Sequence, residues 1–246
     1  MKKKIVSLCL IIALAATAII GGTLAYFTDT DNEKNTFTVG NVAIDLHEAN
    51  KDGATDGAYL EWLKGQVLMP GDNQTNTIAK RVYVENTGKS NAYVRVHIAI
   101  PSVLDNASPD FDASKNLLHF NNTTESMAVG KWNWGKTYDA ARNGYTASGD
   151  TWNFYKTTVD GIDYNVYVVT YDTALAPGGF TDDAMHQVYL YKDVTNADIA
   201  LANETLHGNW NILVFAEGCQ VDGFTDAFAA LNTQFGLPGT YNPFNK

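Results

Sequence analysis

The feature that most constrains this chain is a period of two in its apolar residues. Val82 and Val84 alternate with polar or aromatic neighbours inside Lys80-Arg81-Val82-Tyr83-Val84-Glu85. Val94, Val96, Ile98 and Ile100 alternate with Tyr93, Arg95, His97 and Ala99. Successive side chains of a strand point to opposite faces, so this period predicts half-buried strands. Phe37 and Val39, then Val42, Ile44 and Leu46, repeat the pattern, and further strands are expected over residues 164–171, 187–191 and 209–217. Turn chemistry separates the runs: Pro70-Gly71-Asp72, Asn86-Thr87-Gly88, Pro101 and Pro177-Gly178-Gly179. The link from Asn86 to Asn91 is short enough to join its flanking strands as antiparallel neighbours.

Helical period is confined to two places. Phe224, Ala227, Phe228, Leu231 and Phe235 form one apolar stripe, with Asp222 or Thr225 available as a cap. A Thr-x-x-Asp at Thr195 approximates a capping box and predicts a short helix over residues 195–202. Residues from about 105 to 160 carry Trp132, Trp134 and Trp152 among many Asn, Gly and Thr without a sustained period, and read as an insertion of loops and short strands. Many strands with few helices predict a mainly β protein, a jelly-roll-type β-sandwich with one or two short helices.

The first 25 residues form a separate object. Lys2, Lys3 and Lys4 precede an apolar run from Ile5 to Ile20, and Gly21-Gly22-Thr23-Leu24-Ala25 supplies small residues for cleavage between Ala25 and Tyr26. This is the layout of a signal peptide, with a retained membrane anchor as the alternative. The expected organisation is therefore a leader at 1–25, an N-terminal strand segment at 26–40, and a sandwich domain at 41–246. Charge narrows the function: 27 acidic against 17 basic residues give −10, and loss of three leader lysines takes this to about −13. Nucleic-acid binding driven by phosphate contacts is excluded, because it needs clustered cations. Cleavage also removes Cys9 and leaves Cys219 alone, so no internal disulfide is expected, and Cys219 reads as a small buried hydrophobe.

Catalytic patterns are absent. There is no G-x-S-x-G elbow, phosphate loop or dinucleotide fingerprint. His47-Glu48-Ala49-Asn50 is followed by Lys51 where a zinc-binding helix needs a second His one turn on. The five histidines, His47, His97, His119, His186 and His207, are too far apart for local chelation. No catalytic residue, and no cofactor beyond a weak calcium site, is expected. That site is the stretch from Glu48 to Asp56, where Glu48, Asn50, Asp52 and Asp56 bring side-chain oxygens around Gly53. Its first ligand is Glu in place of Asp and its twelfth position is Tyr59 in place of Glu, so a plain connecting loop is the alternative reading.

Three stretches carry a family resemblance. Gly21-Gly22-Thr23-Leu24-Ala25-Tyr26-Phe27-Thr28-Asp29-Thr30, followed by Asn35-Thr36-Phe37-Thr38-Val39-Gly40-Asn41-Val42, resembles the signal junction of exported Gram-positive proteins processed by a SipW-type signal peptidase. Met69-Pro70-Gly71-Asp72, leading into Val82 to Gly88 and Ala92 to Val96, is similar to that family's turn and paired strands. Val214-Phe215-Ala216-Glu217-Gly218-Cys219-Gln220-Val221-Asp222-Gly223-Phe224 resembles its last core strand. The family is that of TasA and camelysin.

The resemblance implies an exported jelly roll, held at the cell surface or in the biofilm matrix, whose partners are copies of itself, the SipW-type signal peptidase and matrix or cell-wall components. It also implies fibre assembly by donor-strand complementation, in which the segment from Tyr26 to Val39 of one subunit adds a strand to the next. Tyr26, Phe27, Phe37 and Val39 are the apolar members of that segment, and Asp29, Asp31, Glu33 and Asn35 interrupt the face shared by Phe27, Phe37 and Val39. Two other classes stay open. One is a monomeric surface adhesin using the Trp- and Tyr-rich middle to stack on sugars or peptides. The other is a camelysin-like metal-dependent endopeptidase, whose ligands would have to be assembled from distant strands.

Overall fold

The computed structural model describes residues 41–49, 58, 62, 65–72, 74–105, 116–120, 132, 136–139, 144–147 and 154–245. Its strands are β1 (Ile44–Ala49), β2 (Pro70–Gly71), β3 (Ile78–Asn86), β4 (Ala92–Pro101), β5 (Leu118–Phe120), β6 (Lys136–Asp139), β7 (Gly144–Ala147), β8 (Phe154–Val159), β9 (Ile162–Thr170), β10 (Met185–Tyr191) and β11 (Leu213–Gln220). Two helices interleave with them, α1 (Asn196–Thr205) and α2 (Ala227–Phe235). One sheet has the order β1-β3-β10-β2 with β5 also on β10; the second has the order β11-β4-β9-β8; β6 and β7 form a separate ribbon.

Period two places the core. Ile78, Val82 and Val84 of β3, Val188 and Leu190 of β10 and Leu118 of β5 project from one sheet. Val94, Val96, Ile98 and Ile100 of β4 and Tyr167 and Val169 of β9 project from the other, and all share one cluster. The protein is thus a mainly β sandwich. The pairings β4 with β9, β4 with β11, β3 with β10 and β10 with β5 are antiparallel and join strands far apart in the chain. β8 stays with its hairpin neighbour β9, and β1 pairs with β3 although β2 intervenes in the chain. Asp160 and Gly161, with φ of 51° and 81°, make the two-residue turn of the β8–β9 hairpin, a backbone form that suits Asp-Gly.

Three expectations are corrected. The Asn86 to Asn91 link does not join paired strands; β3 and β4 lie in different sheets, so the chain crosses the sandwich there. The Asn86 side chain makes this crossing, donating to the carbonyls of Ser90 and Leu175 at 2.8 Å each, and accepting from the Gly88 amide at 3.0 Å. The second concerns β4, which is buried on both faces: Arg95 and His97, which alternation assigns to the solvent side, are 1% and 0% exposed. The cover is α2 and the chain that follows it. Asp226, rather than Asp222 or Thr225, caps α2 by accepting from the Ala229 amide at 2.8 Å. α1 has the capping box expected at Thr195 with Asp198.

Candidate functional site

Three features of the described residues have functional weight. The first is a pair of open strand edges. β1 ends one sheet and β11 ends the other, and among the described strands neither has a partner on its outward side. They lie on the same side of the sandwich, because a Cβ on Gly218 of β11 would sit 2.8 Å from Ile44 Cγ2 of β1. Glycine is required there by close approach. An unpaired edge presents a row of amides and carbonyls to any extended chain that reaches it.

The second is a cleft of about 860 Å³ at the end of the sandwich where β1 finishes and β3 begins, with Leu104, Leu118, Leu190, Ile199 and Trp210 in its walls. Lys80 also lines it. Alternation along β3 puts this lysine on the inner face, where it is 4% exposed, and Glu48 of β1 accepts a hydrogen bond from its ammonium. An unpaired cation on that face would be strongly unfavourable, so the pair fixes the far end of β1 onto β3.

The third is a buried polar centre on the outer face of the β11-β4-β9-β8 sheet. Arg95 of β4 donates through Nε to Glu217 Oε2 of β11 at 2.5 Å, through Nη1 to Asn232 Oδ1 of α2 at 2.9 Å, and through Nη2 to the Gly236 carbonyl at 3.1 Å and the Tyr241 hydroxyl at 2.8 Å. The Tyr241 hydroxyl in turn donates to Glu217 Oε1 at 2.5 Å. His97 Nε2 is 3.2 Å from Glu217 Oε2, and its Nδ1 is 3.2 Å from the Tyr155 hydroxyl of β8. The carboxylate selects the tautomer with hydrogen on Nε2, so Nδ1 accepts from Tyr155. Burial holds the His97 pKa below 6.5, against the opposing pull of Glu217. Burial pushes Glu217 up, but hydrogen bonding from His97, the charge of Arg95 and the Tyr241 hydroxyl outweigh it and hold the carboxyl low. Both groups are shut away from solvent, so the centre acts on the fold.

A separate buried carboxyl, Asp105, is 1% exposed. It accepts from the Tyr167 hydroxyl at 2.5 Å and from Nδ2 of Asn116 and Asn165 at 3.0 Å each. Burial raises its pKa despite these three donors.

Of the residues singled out in the sequence, the cleavage pair Ala25 and Tyr26, the donor residues Phe27, Phe37 and Val39, and the calcium candidates Asn50, Asp52 and Asp56 lie outside the described residues. Glu48 is described and faces Lys80 inside the sandwich. Trp132 is 2% exposed, packs on Tyr171 at 4.9 Å and donates its indole N–H to the Asp182 carbonyl at 2.7 Å, so it is core and not a sugar platform. Trp134 and Trp152 lie outside the described residues. His47 stacks on Tyr83 at 5.0 Å and meets Glu85 at 3.2 Å; His119 stacks between Tyr189 and Tyr191 at 5.2 and 5.3 Å. Cys219 is a free thiol buried beneath α2, and burial pushes its pKa up to about 11. Among the described residues no three of His, Cys, Asp and Glu are grouped to hold a metal ion. The members of the ionic centre are spread from residue 95 to residue 241, and its signal in the sequence is a polar pair, Arg95 and His97, in an otherwise apolar strand.

Fold and site together define a β-sandwich in which, among the described strands, β1 and β11 have no outward partner, with residues 227–245 anchored by buried charge. Residues 1–88 match the model of the camelysin metallo-endopeptidase family, the TasA/camelysin family that the leader junction and the Met69 to Gly88 stretch resemble. The match runs through β3 to the turn that crosses the sandwich. No curated protein and no solved structure gives a significant match.

Proposed function

We propose that the protein is a secreted structural component of the bacterial cell surface or biofilm matrix, and that it assembles into fibres by strand addition. The family match supports a TasA-like protein. The observation that carries the finer reading is that β1 and β11 have no outward partner among the described strands, because segment 26–40 precedes β1 in the chain by only three residues. An extended segment gains backbone hydrogen bonds along such an edge, and Tyr26, Phe27, Phe37 and Val39 add apolar contact. Addition from one copy to the next does not close on itself and so gives a fibre. In this reading a SipW-type signal peptidase frees the segment by cutting between Ala25 and Tyr26. Other matrix or cell-wall components are further partners.

The test compares proteins beginning at Tyr26 and at Asn41 by electron microscopy and light scattering, with and without EDTA. Fibres from the longer protein alone support the mechanism; two monomeric proteins remove it. The name of the matched family favours a second reading, a metal-dependent endopeptidase. Casein cleavage that EDTA abolishes and added zinc restores would establish it.

A further inference from the structure

We infer that α2 and residues 236–245 form an acid-released latch over the outer face of the β11-β4-β9-β8 sheet, with His97 as the proton sensor. The segment is held in two ways. Its apolar contacts are Ala227, Ala230, Leu231 and Phe235 against Cys219 and Tyr93, and Phe244 against Ala99, Val166 and Leu213. Its polar contacts centre on Arg95 and Glu217, through Asn232, the Gly236 carbonyl and Tyr241, and two more run to β8, from Asn242 Nδ2 to Thr157 Oγ1 at 2.6 Å and from Asn245 Nδ2 to the Thr158 carbonyl at 3.3 Å.

This polar centre is balanced for one protonation state. Arg95 carries one positive charge, Glu217 one negative charge, and His97 is neutral. The groups facing His97 are Arg95 from its own strand, Glu217 from β11, Tyr155 from β8 and Tyr241 from the tail, while α2 offers the uncharged Asn232. Among them Glu217 is the sole anion. A proton on His97 leaves a net positive charge beside Arg95 in a site closed to solvent, and a proton on Glu217 does the same.

Opening the latch relieves that charge by admitting water. Residues 227–245 add no strand to either sheet, so they can lift without breaking a ladder. The sign follows from linkage. A histidine with a depressed folded pKa stabilises the closed form above about pH 6.5, and that contribution is lost as the pH falls through the folded value. Glu217, also depressed, adds a loss of the same sign at lower pH.

The test follows hydrogen exchange of the full chain at about pH 7.5 and pH 5, the range in which histidine switches. Protection factors, corrected for intrinsic rate, are read peptide by peptide. Cys219 is probed in parallel with dithiodipyridine, which reacts in acid, and its labelling is located by peptide mass. Peptides covering 227–245 should lose up to about tenfold in protection per pH unit while those of β4 and β9 keep theirs, and Cys219 should become reactive. His97→Gln preserves a donor and an acceptor without the titration, and should stay closed in acid. Should that variant fail to fold, Tyr155→Phe provides the second arm: loss of the hydroxyl that donates to neutral His97 should move opening to higher pH. Unchanged protection of 227–245 in acid overturns the proposal. So does uniform loss across the domain, or acid opening that persists unaltered in the variant that folds.

Discussion

Lys80 and Glu48 are partners in unequal surroundings: the lysine side chain is 6% exposed and the glutamate 23%. Removing Glu48 strands a buried cation, whereas removing Lys80 leaves a carboxylate that already reaches water. Glu48→Ala should therefore cost about 3 kcal/mol in urea unfolding, and Lys80→Met about 1 kcal/mol or less. Equal losses would contradict the asymmetry. Asp105 makes a second prediction of opposite sign to the latch. Its folded pKa is raised, so its contribution to stability is present at low pH and lost as pH rises through the folded value. Thermal unfolding followed from pH 4 upward should show that loss, and Asp105→Asn should flatten it.

At the scale of elements, α2 depends on a cap that the sequence obscures. Asp222, Thr225 and Asp226 all precede the apolar stripe, and backbone geometry selects the last. Asp226→Ala should cost about 1 kcal/mol. The loss should appear in hydrogen exchange of 227–235 before it appears in β4. Strand existence was legible because a sandwich reads its core out of period two: β3, β4, β9 and β10 fall where the alternation puts them. Pairing was not, because a six-residue link such as Asn86 to Asn91 suits a hairpin and a crossing between sheets equally well. What decides is a long-range contact, the Asn86 amide donating to Leu175. The burial of Arg95 and His97 was hidden for the same reason, since their cover is supplied more than a hundred residues later.

At the scale of the whole molecule, net charge acts on the proposed fibre. Subunits at about −13 repel one another, and the repulsion is screened within about 10 Å at 0.1 M salt. Assembly of the protein beginning at Tyr26 should therefore be faster at 150 mM than at 10 mM NaCl in light scattering, the second concentration leaving a Debye length of about 30 Å. Finished fibres, joined by backbone hydrogen bonds, should not dissolve when salt is changed again.

The position of β1 also has a mechanical meaning. The chain from residue 40 feeds β1, whose ladder to β3 runs from Ile44 opposite Asn86 to Ala49 opposite Arg81. A strand drawn along its own axis loads its ladder in shear, and the bonds must yield together; one drawn sideways unzips them singly. Glu48, tied to Lys80 near the end remote from the pull, resists sliding after the first bonds strain. Tension carried by an N-terminal segment would thus meet the bonds from the Lys89 and Gly88 amides to the carbonyls of Asn41 and Ala43 and then this six-residue ladder, making β1 and its lead-in the mechanical fuse of the domain.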